Sequence, residues 1–167
     1  MTTTGRKQAV IISARGENTF TPDQTKQLRA VLDVRFHEQR ESMTAAAFGE
    51  LCREAAIIGL TRRAIPDFDG ALVRQLPNLE ALAIYSTGCE WLDLTALAQR
   101  QIIVSYLPDY STISVAEHTL AMLLTLSRRV HLANDRARAL VPAGTSLRGW
   151  EWRGRTAGII GKGRIGS

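Results

Sequence analysis

The sequence is short of several features that would have fixed its class at once. It has two cysteines, Cys52 and Cys89, too few for a disulfide framework, and neither stands at metal-ligand spacing from His37, His118 or His131. No metal site is expected, and reduced thiols in the cytoplasm are the default expectation. Long apolar runs are also missing. The longest, Leu120 to Leu126, is about a third of what a bilayer span needs, so no membrane segment is expected. Lys7 is followed only by the short run Ala9 to Ile12 before Arg15 and Glu17, which is not a secretory leader. Nor is there a run of one charge. Lys and Arg total 21 against 16 Asp and Glu, but 18 of the cations are Arg scattered from Arg6 to Arg164. A nucleic-acid footprint would gather them into a stripe, and the doublets Arg62-Arg63 and Arg128-Arg129 do not make one.

What is present is a folding composition, 45% hydrophobic and 22% charged, in 167 residues that allow one domain or a domain with part of another. The first hundred residues alternate short aliphatic runs with helical periodicity, the pattern of βαβ units and a parallel sheet. The strand candidates are Ala9 to Ser13, Val34 to His37, Ala56 to Leu60, Leu82 to Tyr85 and Ile102 to Tyr106. Between them, Thr21-Pro22-Asp23 opens a helix whose face is Leu28, Val31 and Leu32. Thr44 can cap Ala45 to Ala55, Asp93 can cap Leu94 to Arg100, and a weaker helix spans Ala71 to Leu76.

After Ser111 the texture changes. Ser114 to Arg138 contains no Gly or Pro and reads as one long helix, apolar on most sides of its first half through Ala116, Leu120, Leu123, Leu124 and Leu126. Leu140 to Arg155 is loop-like and carries Trp150 and Trp152, which either form an interface or staple the loop to its own domain. The final segment, AGIIGKGRIGS, sets the end of a strand, Gly158 to Ile160, before G-x-G-x-x-G at Gly161, Gly163 and Gly166. In a dinucleotide fold these glycines serve the tight turn, close approach to a pyrophosphate, and helix-on-strand packing, with phosphate on the N–H groups around Arg164 and Ile165.

Three segments taken together, Gly158 to Gly166, Ser114 to His118 and Tyr85 to Asp93, resemble the D-isomer-specific 2-hydroxyacid dehydrogenase family, in its order and at its approximate spacing. Within the family the sequence looks most like the glyoxylate, hydroxypyruvate and glycerate type. The resemblance implies an α/β chain: a flavodoxin-like substrate domain over 1–110, without its C-terminal return segment, then the first helix, arm and glycine turn of a truncated Rossmann domain over 111–167. It implies that Thr87 and Gly88 bind a substrate carboxylate through their N–H groups, although Gly88 also reads as turn punctuation. Tyr110 is implied near the substrate, or packs its loop; Ser114 is implied at the cofactor, or caps the long helix. Gly161, Gly163, Arg164, Ile165 and Gly166 are implied to hold NAD or NADP.

The family's catalytic Arg, carboxylate and His follow the glycine motif and are expected beyond Ser167, so no catalytic residue is assigned to this chain. On this reading the chain is an inactive N-terminal part of an oxidoreductase that transfers hydride between a nicotinamide and a 2-hydroxy or 2-oxo acid. An intact enzyme would run at least about another 130 residues. The implied partners are the small acid and a second copy, paired through residues 114–152. The alternative is a non-catalytic binding or regulatory module with a helical dimerisation arm.

Overall fold

The computed structural model describes residues 5–167. These divide into two compact units, one ending at Pro108 and the other running from Asp109 to Ser167.

The first unit is built on a five-stranded, wholly parallel sheet: β1 (Gln8–Ser13), β2 (Asp33–Glu38), β3 (Ile57–Leu60), β4 (Ala81–Ile84) and β5 (Ile103–Ser105). The spatial order is β2-β1-β3-β4-β5, the flavodoxin-type arrangement. All five strand expectations are met within a residue or two. The aliphatic runs sit where burial is deepest. Val10, Ile12, Ile58, Leu60, Leu82 and Ile84 face one core with Phe48, Phe68, Leu72 and Leu97, and the Phe48 and Phe68 rings meet edge to face at 5.8 Å. The outer strands are only half covered, as edges are: Ile103 of β5 is 69% exposed.

The connecting helices start where the sequence provides acceptors for unpaired N–H groups. Thr21 caps α1 (Pro22–Val31) in a reciprocal capping box with Gln24, and Thr44 caps α2 (Ala45–Cys52). Asp69 caps α3 (Gly70–Arg74), a signal that sequence reading passed over, and Asp93 caps α4 (Leu94–Gln99). The chain after α3 is fastened by Arg100, whose guanidinium donates to the carbonyls of Val73, Leu76 and Pro77. The expected apolar face of α1 is only partly realised: Leu28 and Leu32 are half-buried, but Val31 is 67% exposed and Thr25 is the helix's buried residue.

In the second unit the long helix expected over Ser114 to Arg138 is two helices, α5 (Thr112–Ser127) and α6 (Val130–Ala137). The break is tied to a segment more than twenty residues on. The carbonyl of Ser127, which would accept from His131 in a continuous helix, instead accepts the Trp150 N–H at 3.0 Å. Arg129 takes a left-handed conformation, φ 56°, at the junction. The Ser127 hydroxyl accepts the Trp152 indole N–H at 3.0 Å, and the two indoles lie 4.7 Å apart. The tryptophans therefore staple the loop to α5, and Gly149 is small because a Cβ there would overlap the Ser127 carbonyl.

The expected strand end at Gly158 to Ile160 does not form. These residues pair with no strand among those described, and a lone strand has no ladder to hold it.

The core makes a plain demand on mutagenesis. Phe68→Ala, at a fully buried ring, is expected to lower unfolding free energy by about 3–5 kcal/mol, and Val31→Ala by less than about 0.5 kcal/mol. Urea denaturation followed by circular dichroism checks both.

Candidate functional site

In a parallel sheet every strand ends on the same edge, so the segments that follow β1, β3 and β4 gather there. At the end of β4, Tyr85 still pairs through its N–H with the Leu60 carbonyl at 3.0 Å, and beyond it the chain turns through Ser86, Thr87 and Gly88. This turn is held from several sides. The Gly88 carbonyl accepts the Ser86 hydroxyl at 3.0 Å and the Trp91 indole N–H at 3.2 Å. Trp91 is buried, and its own carbonyl accepts from the N–H of Phe68, while the Ser86 carbonyl accepts from the N–H of Leu107.

With the carbonyl pinned, the N–H groups of Thr87 and Gly88 are left over: neither donates to any group among the described residues. Thr87 is exposed and Gly88 half-buried, so both face accessible space. Successive unspent N–H groups on a fixed turn form an anion-binding concavity.

Gly88 does not owe its identity to a left-handed backbone, since its φ is not positive. The atoms that crowd the position of its missing Cβ belong to the Glu90 carboxylate, the far end of a flexible side chain. Trp91, Ser86 and Glu90 were all missed as site residues by sequence reasoning. The sequence offers Trp91 only as part of the matched segment, and nothing in the spacing shows that its indole reaches back three residues.

A second arrangement lies along the same strand ends. The Tyr85 ring packs edge-on against Phe20 at 6.3 Å, and its hydroxyl lies over Gly59 of β3, where a Cβ would overlap it. The glycine inside an otherwise aliphatic strand leaves the room for this close approach. Burial pushes the phenol up to about 12.

In the second unit, Tyr110 is 66% exposed in the segment before α5. Ser114 lies in the first turn of α5 and donates to the Ser111 carbonyl at 3.1 Å. It is not the cap: Ser111 holds the N-cap position, without a side-chain bond. The glycine motif is a surface turn. Gly161 has φ +96°, the left-handed geometry that only glycine adopts readily. Gly166 packs so closely on the Gly161 carbonyl that a Cβ would overlap it, and this close approach closes the turn on itself rather than seating a helix on a strand. Nothing stands within 4 Å of a Cβ built on Gly163, and the N–H groups of Gly163 and Ile165 make no backbone bond among the described residues. The Arg164 guanidinium pairs with Asp109. His118 and His131 are exposed, and no group of metal-ligating residues exists among those described. No helix of the described residues is long and apolar enough to cross a membrane.

A family model described as the D-isomer specific 2-hydroxyacid dehydrogenase catalytic domain matches residues 10–157. The D-3-phosphoglycerate dehydrogenase of Archaeoglobus fulgidus is 32% identical over 127 residues, 75% of this chain and 24% of the relative. The glyoxylate/hydroxypyruvate reductase B of Escherichia coli is 35% identical over 103 residues, 59% of this chain and 31% of the relative. Among solved structures, the D-lactate dehydrogenase of Aquifex aeolicus, complexed with NAD and lactic acid, superposes with a TM-score of 0.74 at 26% identity, covering 95% of this chain and 46% of that one. The chain thus spans about a quarter to a third of the length of such sequence relatives.

The buried phenol gives a pH test. Its folded value lies above its ordinary value of 10, so the stability it contributes is complete below pH 10 and is lost as pH rises from 10 towards about 12. Tyr85→Phe is expected to flatten that part of the stability–pH curve. Ultraviolet titration of the native chain should show a late phenol ionisation that Tyr85→Phe removes.

Proposed function

We infer that this chain, which belongs to the D-isomer specific 2-hydroxyacid dehydrogenase family, supplies the carboxylate-binding half of an enzyme that moves hydride between a nicotinamide and a small 2-hydroxy or 2-oxo acid. One observation carries the reading: the Thr87 and Gly88 N–H groups are unspent on a turn whose carbonyl is clamped by Ser86 and Trp91. A carboxylate that accepts from both is fixed in position without any rearrangement of the backbone, and charge-assisted bonds of this kind are the stronger ones. The Glu90 carboxylate lies against Gly88, and its charge opposes the entry of an anion.

The residues present fit the phosphate end of NAD or NADP. Gly161 makes the tight turn, Gly163 leaves its face open, and the Gly163 and Ile165 N–H groups are unspent, with Arg164, Gly166 and Ser114 completing the proposed set. The bound nicotinamide supplies or accepts the hydride. The proton for the 2-oxygen has no assigned donor in this chain, so alone it is a binding half. A second copy is proposed to pair through residues 114–152, where Leu120 and Leu124 stand exposed. Sedimentation of the 167-residue chain should then show a dimer, and a strict monomer would contradict the pairing.

The activity is tested on the intact polypeptide that contains this chain, with NADH or NADPH and glyoxylate, hydroxypyruvate or pyruvate. Turnover is expected with at least one of them. Gly88→Ala should raise KM for the acid by at least about tenfold with a smaller change in kcat, the mark of lost ground-state binding. Glu90→Gln should lower KM by about two- to threefold, a screened surface-charge effect. No turnover with any 2-oxo acid, or an unchanged KM in Gly88→Ala, would overturn the reading.

A further inference from the structure

The carbonyl of Ser127 stands between two donors. In a helix running on from α5 it would accept the His131 N–H, and here it accepts the Trp150 N–H at 3.0 Å instead. The His131 N–H is left without a backbone acceptor among the described residues. We propose that the loop around Trp150 is a strap on a two-state helix: held down, it keeps α5 and α6 apart, and let go, it allows residues 112–137 to become one continuous helix. No residue of the carboxylate turn or of the glycine motif takes part.

The broken form has no support in its own sequence. Ser127 to Val130 contains neither Gly nor Pro, and Arg129 takes, at φ 56°, the left-handed position after a helix that glycine usually fills. Arg129 also holds the N-cap position of α6 and makes no side-chain capping bond, so the first N–H groups of that helix gain nothing from the break. What holds the two helices apart is the strap. The Trp152 indole donates to the Ser127 hydroxyl at 3.0 Å, the Trp150 ring lies 4.7 Å from it, and Ser127 is fully buried. The strap sits this low because residue 149 is glycine: a Cβ there would overlap the Ser127 carbonyl and crowd the Cα of Arg128. Farther along, Arg136 of α6 donates to the Thr145 carbonyl at 3.0 Å. The backbone around Arg129 is thus set by contacts made with another segment, and it changes when they do. A ligand that takes the two indoles more tightly than Ser127 holds them shifts the helix towards its continuous form, by as much as it prefers the freed strap.

Amide hydrogen exchange on the ¹⁵N-labelled 167-residue chain reads both donors at once. Gly149→Ala lifts the strap without altering either helix. It is expected to speed exchange at Trp150 and to slow it at His131, each by at least about tenfold, with the backbone coupling of Arg129 falling to its right-handed helical range. Arg129→Gly, which removes the penalty on the left-handed residue, should cancel the gain at His131 when added to Gly149→Ala, and leave Trp150 fast. Trp152→Ala, which removes the indole donor to Ser127, is a second way to release the strap and should reproduce the reciprocal change. A fast Trp150 amide with His131 exchange within about twofold of native, in both release variants, would overturn the proposal, because the break would then outlast its strap. So would a Trp150 amide that stays protected in both.

Discussion

The parallel register of β1, β3 and β4 is the constraint on which the rest of the first unit depends. Val10 lies opposite Ile58, and Ile58 opposite Leu82, so three aliphatic strands share one buried row and cannot slip without moving their side chains to the other face. Because all the strands run the same way, this row fixes the point at which each one ends. Ser13, Thr61 and Tyr85 therefore leave the sheet along one edge, and the Gly88 turn follows from that edge rather than from any local preference for a turn. Burial of Phe48, Phe68, Leu72 and Leu97 against the same row supplies the rigidity of the sheet from which the Gly88 turn leaves.

The turn itself shows how binding capacity arises from an unequal distribution of hydrogen bonds. Buried polar groups are ordinarily paired, and here the Gly88 carbonyl is paired twice while the neighbouring N–H groups are not paired at all. Trp91 ties the arrangement to the core: its indole holds Gly88, its ring is buried, and its carbonyl is bonded by Phe68. The glycine turn of the second unit is closed by Gly166 against Gly161 and likewise leaves N–H groups unspent on an open face.

Much of the fold was legible because it rests on local signals. The aliphatic runs, and Thr21, Thr44 and Asp93 as caps, act within a few residues and were read to within a turn. The errors came from distant partners. The break at Arg129 is imposed by Trp150 and Trp152, more than twenty residues on, and no propensity in Ser114 to Arg138 announces it. The strand at Gly158 had the right composition and no strand to pair with. At the candidate site Gly88 was legible as a small residue at a strand end, but the Trp91 clamp, the Glu90 carboxylate and the Tyr85–Gly59 contact required coordinates. Side-chain reach across three residues, or between neighbouring strands, leaves no periodic trace.

The central claim is that the Thr87–Gly88 turn binds a carboxylate through its two N–H groups. Oxamate, an unreactive stand-in for a 2-oxo acid, titrated into the ¹⁵N-labelled chain and followed by amide NMR, tests it most directly. The Thr87 and Gly88 amide signals are expected to move downfield together and saturate. Oxamate that saturates with those two signals unmoved, or that fails to bind at all, would contradict it.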